Sequence, residues 1–373
     1  MNHAMSREFS LYLDAVRFLA ALMVVFYHMN MRWLSTQIVP LSDHGHAAVM
    51  IFFVLSGYVI SYIHAKRENT PAEYWASRLS RFYSLAIPVV LITPLLDMAG
   101  EALRPAIYEG WTTHGLAPVR IATSLAWLNE VWTISIMSFS NTPYWSLCYE
   151  MWYYIMFAVC VFTAGRTRVL LLAACALVVG PKILLLAPVW AMGVALHRWR
   201  ALQRIPFGAG LALFAGSLVA FGLFQHFRLT DLGSAWMRSL VGDALHHQLT
   251  FSRFALTDYL LGLIVAANFA GARAVAPVLG RVLLPCERPI RWMAGYTFSL
   301  YLMHQPLLLF YGAVIDGDPS GPWYFAAVLG AILATVWLAG SVTEQRRHLL
   351  RAWLLARLQA LPGRRPFAAR GNG

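Results

Sequence analysis

Long apolar stretches alternate with short polar connections along the whole chain. Stretches long enough to span a membrane begin near Ala15, His46, Phe82, Leu147, Val169, Ile183, Gly208, Phe254, Trp292 and Trp323, each of about 13 to 20 residues. The Val169 and Ile183 stretches are split by Gly180-Pro181-Lys182, which predicts a tight helical hairpin. A further stretch, Ile121 to Phe139, carries Asn129 and Glu130 at its centre. Such residues face lipid poorly, so this stretch reads as a re-entrant or interfacial element. The prediction is an all-α polytopic membrane helix bundle of about ten transmembrane helices plus that element. The connections are too short to hold a separate folded unit, so residues 1–342 form one integral-membrane domain. Residues 343–373 follow as a cytoplasmic extension. Thr343 to Leu361 can form an amphipathic helix with Arg347, Arg351 and Arg357 beside Leu350, Trp353, Leu354 and Leu358, and the last residues read as a disordered basic tail.

Composition agrees: 59% of residues are hydrophobic, 12% are charged and the mean hydropathy is +0.58, as in an integral membrane protein. The net charge of +12 adds orientation. With ten spans, most of the 29 arginines and lysines fall in loops on one side, which the positive-inside rule makes cytoplasmic. Letting Ile121 to Phe139 cross would invert every later loop. Both termini are therefore expected in the cytoplasm, in a multi-pass protein of the inner (plasma) membrane. The same placement accounts for the positive charge through topology and anionic headgroups, without nucleic acid. The polar N-terminus leads into a span that holds Arg17 and reads as an uncleaved signal anchor. The four cysteines suggest neither a disulfide framework nor a zinc site.

Arg17 and His28 lie in the first span, where ionisable groups are costly and by default functional. Eleven positions bring them within about 20° of three full turns, so they share a helix face roughly 16 Å apart. The plainer reading is a snorkelling Arg and a hydrogen-bonded core His. Trp145-Ser146-Leu147-Cys148-Tyr149-Glu150 places Ser146 and Glu150 at i and i+4, and hence on one face; the alternative is a capped helix start at the surface. Tyr301 and His304 lie in a later span, with His304 at a depth similar to that of His28. Arg78 and Arg81 make a cationic face suited to phosphates, although topology alone also explains basic loops. His44 and His46, and His246 and His247, lack the Cys or carboxylate spacing that specifies a metal, and no metal is expected.

Leu13-Asp14-Ala15-Val16-Arg17 with Tyr27-His28 resembles the opening helix of the integral-membrane acyltransferase 3 family. Ile51 to Tyr58 is similar to its second-helix signature, Arg78 to Arg81 to its basic motif, Trp145 to Glu150 to its Trp-Ser-Leu-x-x-Glu motif, and Ser299 to His304 to its Tyr-Leu-x-His motif. Met50 and Ile51 stand where an acidic residue is often found, so no role for that acid carries over. The resemblance implies an O-acyltransferase that moves an acyl group, most often acetyl from cytoplasmic acetyl-CoA as co-substrate, to a hydroxyl of a cell-envelope or exported glycan. Other partners expected are membrane lipid and a carbohydrate or lipid-linked acceptor. His28 is then the general base on the hydroxyl, or a transient acyl carrier. Glu150 orients His28 or binds acceptor hydroxyls, and Ser146 donates a hydrogen bond. Arg17, Arg78 and Arg81 hold the donor, while His304, Tyr301, Trp145 and Asp14 support. The loop from Gln225 to Ser252 borders the acceptor. A secondary transporter with an Arg/His/Glu relay is the alternative, and a noncatalytic scaffold a weaker one.

Overall fold

The computed structural model describes residues 5–30, 39, 42–110 and 115–360. The helices are α1 (Arg7–Asn30), α2 (Gly45–Arg67), α3 (Pro71–Leu103), α4 (Pro105–Tyr108), α5 (Ala117–Leu125), α6 (Trp145–Phe162), α7 (Gly165–Arg198), α8 (Phe207–His226), α9 (Leu229–Gln248), α10 (Ala255–Ala274), α11 (Ala276–Leu283), α12 (Glu287–Ala294), α13 (Thr297–Val314), α14 (Pro322–Val342) and α15 (Arg347–Gln359). Among the described residues, eight helical segments are long and apolar enough to cross a membrane.

That number reconciles with the expected ten. The 34-residue α7 breaks at Gly180, where φ is 70° and ψ is −169°. Both ends of α7 lie beside the C-terminal end of α2: Phe162, three residues before α7, packs on His64, and His197 bonds Ser61 at 2.8 Å. The helix therefore runs out and back as the predicted hairpin. Helix α13 is the other addition; His304, Gln305 and Pro306 dilute its apolar character. The C-terminal end of α1, the N-terminal ends of α2, α6 and α10, and the Gly180 tip share one rim, here the far rim. The opposite, N-terminal rim carries the start of α1, which Arg7 ties to Glu287 of α12.

Residues 117–141 do not cross. Helix α5 covers only nine residues, and the chain beyond it turns at Trp127, Trp132 and Phe139, all at positive φ. The Trp132 amide donates to Val179 O at 2.7 Å, beside the hairpin tip. Glu130, costly in lipid, meets Lys182 instead: Nζ lies 2.5 Å from Glu130 Oε2, 2.6 Å from Ile134 O and 2.7 Å from Ser135 Oγ, with both ionic side chains fully buried. A buried ion pair survives when further hydrogen bonds satisfy it, and this one pins the re-entrant segment to the hairpin.

Helix α15 begins at Arg347, within the predicted amphipathic stretch, and packs along α3, with Arg351 Nε 3.0 Å from Ser77 Oγ. Its Leu349 and Trp353 are exposed, as suits a helix against a membrane surface. The tail expected beyond it, from residue 361, lies outside the described residues.

Candidate active site

At the far rim, the last turn of α1 places His28 beside His304 of α13. Nδ1 of His28 lies 2.9 Å from Val24 O and 3.1 Å from Nε2 of His304. Nδ1 of His304 in turn faces two carbonyls, Tyr301 O at 2.7 Å and Leu300 O at 3.2 Å. Carbonyls only accept, so a neutral His304 carries its proton on Nδ1 and presents a lone pair from Nε2. The proton between the rings then sits on His28 Nδ1, which leaves the basic lone pair of His28 on Nε2. His304 is itself fully buried and acts on His28 from behind.

His28 lines a cavity of about 840 Å³. Trp145 stacks on Phe251 across this wall, with ring centroids 4.2 Å apart and planes 5° from parallel. Gln225, Arg228, Asp231 and His247 also line the cavity, from the Gln225 to Ser252 segment expected at the acceptor. That segment contains α9, a helix where a loop was expected, and its Arg238 and Asp243 pair with each other in the open, apart from the lining. At the cavity mouth, burial holds the His44 imidazole below its ordinary pKa, against the opposing pull of Asp43.

A second cavity, of about 220 Å³, opens toward the N-terminal rim. Arg17, Arg81 and Arg347 line it together with Ser56, Ser146, Glu150 and Glu344. Arg17 donates to Asp14 at 2.9 Å and Ala294 O at 3.1 Å, and Asp14 also receives Arg291 at 2.9 Å. Glu344 accepts from the Ser299 amide and hydroxyl at 2.9 and 2.8 Å. Val49 and Tyr301 border both cavities, and the Tyr301 hydroxyl is held 2.7 Å from Ser146 Oγ. The two spaces thus meet at one thin wall.

Two expected placements change. Glu150 is not the partner that orients His28. It accepts from Ser56 and Tyr154, each at 2.5 Å, because it sits five residues beyond Trp145 along α6 and faces the arginine-lined cavity. Arg78 does not join Arg81 in the lining. It is buried against Glu68 at 2.7 Å and lies over the rings of Tyr74 and Tyr154. Positions i and i+3 on a helix differ by about 60° in direction, enough to send one Arg into the cavity and the other into the protein. Sequence reasoning missed Arg347 and Glu344, which belong to the stretch assigned to the tail. An acid lodged among tail arginines was the available signal.

Comparison with known proteins adds a family. A family model described as "Acyltransferase domain" matches residues 10–340. OatA, a peptidoglycan O-acetyltransferase of Listeria monocytogenes, is 21% identical over 85% of this chain and 52% of its own length. YrhL of Bacillus subtilis, provisionally named a peptidoglycan O-acetyltransferase, is 23% identical over 87% of this chain and 52% of its own. The acyltransferase MdmB of Streptomyces mycarofaciens is 28% identical over 39% of this chain and 37% of its own. The chain spans about half the length of the longer relatives it matches. No solved structure matches it.

Proposed function

The chain belongs to the integral-membrane acyltransferase family whose model covers residues 10–340, and from that premise we propose that it is a membrane O-acyltransferase moving an acetyl group from cytoplasmic acetyl-CoA to a hydroxyl of a cell-envelope or exported glycan. The observation that carries this reading is the pair of cavities meeting at Val49 and Tyr301, one with three guanidiniums, the other with His28. In this reading the N-terminal rim is cytoplasmic, with both chain termini, and the far rim faces outward.

Arg17, Arg81 and Arg347 suit the polyanionic donor, since guanidiniums bind phosphate oxygens in charge-assisted pairs. Glu150 and Glu344 would repel it if they stood alone. Hydrogen bonds from Ser56, Tyr154 and Ser299 hold these carboxylates in place without cancelling their charge, and the three guanidiniums outnumber them. The thioester end of the donor then reaches the wall at Tyr301, and the acceptor hydroxyl approaches from the outer cavity.

A sugar hydroxyl is a weak nucleophile until a base takes its proton as the bond to the acyl carbon forms. Nε2 of His28 has the lone pair for this. The hydroxyl oxygen attacks the thioester carbonyl, its proton passes to Nε2, and the CoA thiolate leaves and is protonated as His28 returns to neutrality. The peptidoglycan O-acetyltransferase names of OatA and YrhL support a glycan as the acceptor class.

Purified protein in nanodiscs, with both faces open to labelled acetyl-CoA and fractionated envelope glycan, tests the reading. Label should move to glycan in the wild type and fall by about 100-fold or more in His28→Ala. Transfer that persists unchanged in that variant removes His28 as base. Proton-coupled uptake with no CoA release would replace the enzyme by a transporter.

A further inference from the structure

Of the imidazoles besides His28 that line the outer cavity, His46 is held by a buried carboxylate and is not used by the reaction above. His46 lies in the first turn of α2, and its Nε2 is 2.9 and 3.1 Å from the two carboxylate oxygens of Asp258 in the first turn of α10. Asp258 is fully buried, whereas the His46 side chain retains 18% exposure and lines the cavity. A lone carboxylate in such a place would be strongly disfavoured; the imidazole is its partner.

The contact fixes the chemistry of the ring. An ionised carboxylate only accepts, so Nε2 carries a hydrogen and a neutral His46 keeps its lone pair on Nδ1. Among the described residues, Nδ1 has no hydrogen-bond partner. Phe254 packs on the ring at 4.7 Å, so its rotation is restrained as well as its tautomer. A pair needed for stability alone would be served by burying both members. Here the acid is hidden and the imidazole fronts a space large enough for a small ligand.

The rest of that wall indicates which ligand. Trp145, Phe251 and Phe254 give this wall an aromatic lining, and such a lining with a few oriented polar groups fits a sugar ring, whose faces are apolar and whose edge carries hydroxyls. We propose that His46, held by Asp258, binds a hydroxyl of the carbohydrate acceptor and thereby selects which neighbouring hydroxyl reaches His28. This rests on the glycan-acceptor reading above.

The test uses the purified full-length chain in nanodiscs, with the N-acetylglucosamine–N-acetylmuramic acid disaccharide as probe. Acetyl transfer from labelled acetyl-CoA gives kcat and KM, and tryptophan fluorescence without donor reports binding. His46→Ala should raise the KM for the disaccharide about tenfold or more, with kcat within about threefold, and should scatter acetylation over more than one hydroxyl. His46→Gln keeps an N–H for Asp258 and loses the Nδ1 acceptor, so the same KM rise in a normally folded variant separates ligand binding from stability. Unchanged KM and unchanged product position in both variants overturn the proposal while leaving the acyltransferase reading intact. Should the wild type bind the disaccharide but transfer no acetyl, the acyltransferase reading fails, and His46 stands or falls on whether His46→Gln loses the fluorescence response. A wild type that neither binds nor acetylates the disaccharide overturns both.

Discussion

At the scale of single residues, the candidate site is a matter of which proton sits on which nitrogen. Two backbone carbonyls set the tautomer of His304, and His304 sets that of His28. His304→Ala should therefore lower kcat by about 100-fold, the order expected when a reacting group loses its alignment, while the KM for acetyl-CoA stays near wild type. A loss confined to KM would show that His304 belongs to binding rather than to the base. Both histidines were legible in the sequence, because each lies in an apolar span where it must have a purpose. Their direct contact was not, since 276 positions separate them. Glu150 was legible as a costly acid, but its contact with Ser56 was not, for the same reason: helical spacing fixes which residues share a face but not what that face meets.

Helix packing sets the site at the next scale. Helices α2 and α7 cross at two glycines with no room for a methyl group. A Cβ on Gly193 would fall 1.9 Å from Val54 O, and one on Gly57 2.1 Å from Trp190 O. Both clashes are with backbone, which cannot turn aside. Small residues at membrane helix crossings allow this close approach. Gly193→Ala should force the pair apart and cut the yield of monodisperse protein on size-exclusion chromatography. Gly216→Ala, where a methyl meets open space, should behave as wild type. Equal behaviour of the two variants would mean that the crossing is looser than described. The displacement would reach the site directly, because Ser56, next to Gly57, holds Glu150.

Across the whole molecule, the chain's beginning is fastened to its last third. Arg7 and Arg291 both donate to Glu287, at 2.9 and 2.8 Å, and Arg291 reaches Asp14. Hydrogen bonds from Arg7 and then Arg291 hold the Glu287 carboxyl down to about 2 from its ordinary 4.5. A carboxyl depressed in the folded state contributes stability that is complete above its unfolded pKa and is lost as pH falls through the folded one. The melting temperature should therefore fall between about pH 4.5 and 2 by more in the wild type than in Glu287→Gln. Parallel curves for the two proteins would show that this clasp contributes nothing in solution. Being solvent-exposed, it should contribute modestly and weaken with salt.

The sequence by itself determined that the chain is a polytopic helical bundle, that Val169 to Arg198 doubles back at Gly180, and that residues 121–139 stay out of the count; the span it starts at Trp292 instead begins at Thr297, after the short helix α12 and a turn at Gly295. Those features follow from local rules: apolar length, the cost of a charge in lipid, and the breaking of a helix at Gly-Pro. It also located Arg17, His28, Ser146, Glu150 and His304 as residues that lipid would reject. Only the tertiary structure decided who meets whom. It gave His28 to His304, Glu150 to Ser56 and Tyr154, Glu130 to Lys182 and Asp258 to His46, and it turned Arg78 inward while Arg81 faces a cavity. Apart from Tyr154, one turn along α6 from Glu150, each of these pairings joins separate segments of the chain or opposes neighbours on one helix. They depend on helix rotation and depth, quantities that packing sets and that no periodicity along the chain encodes.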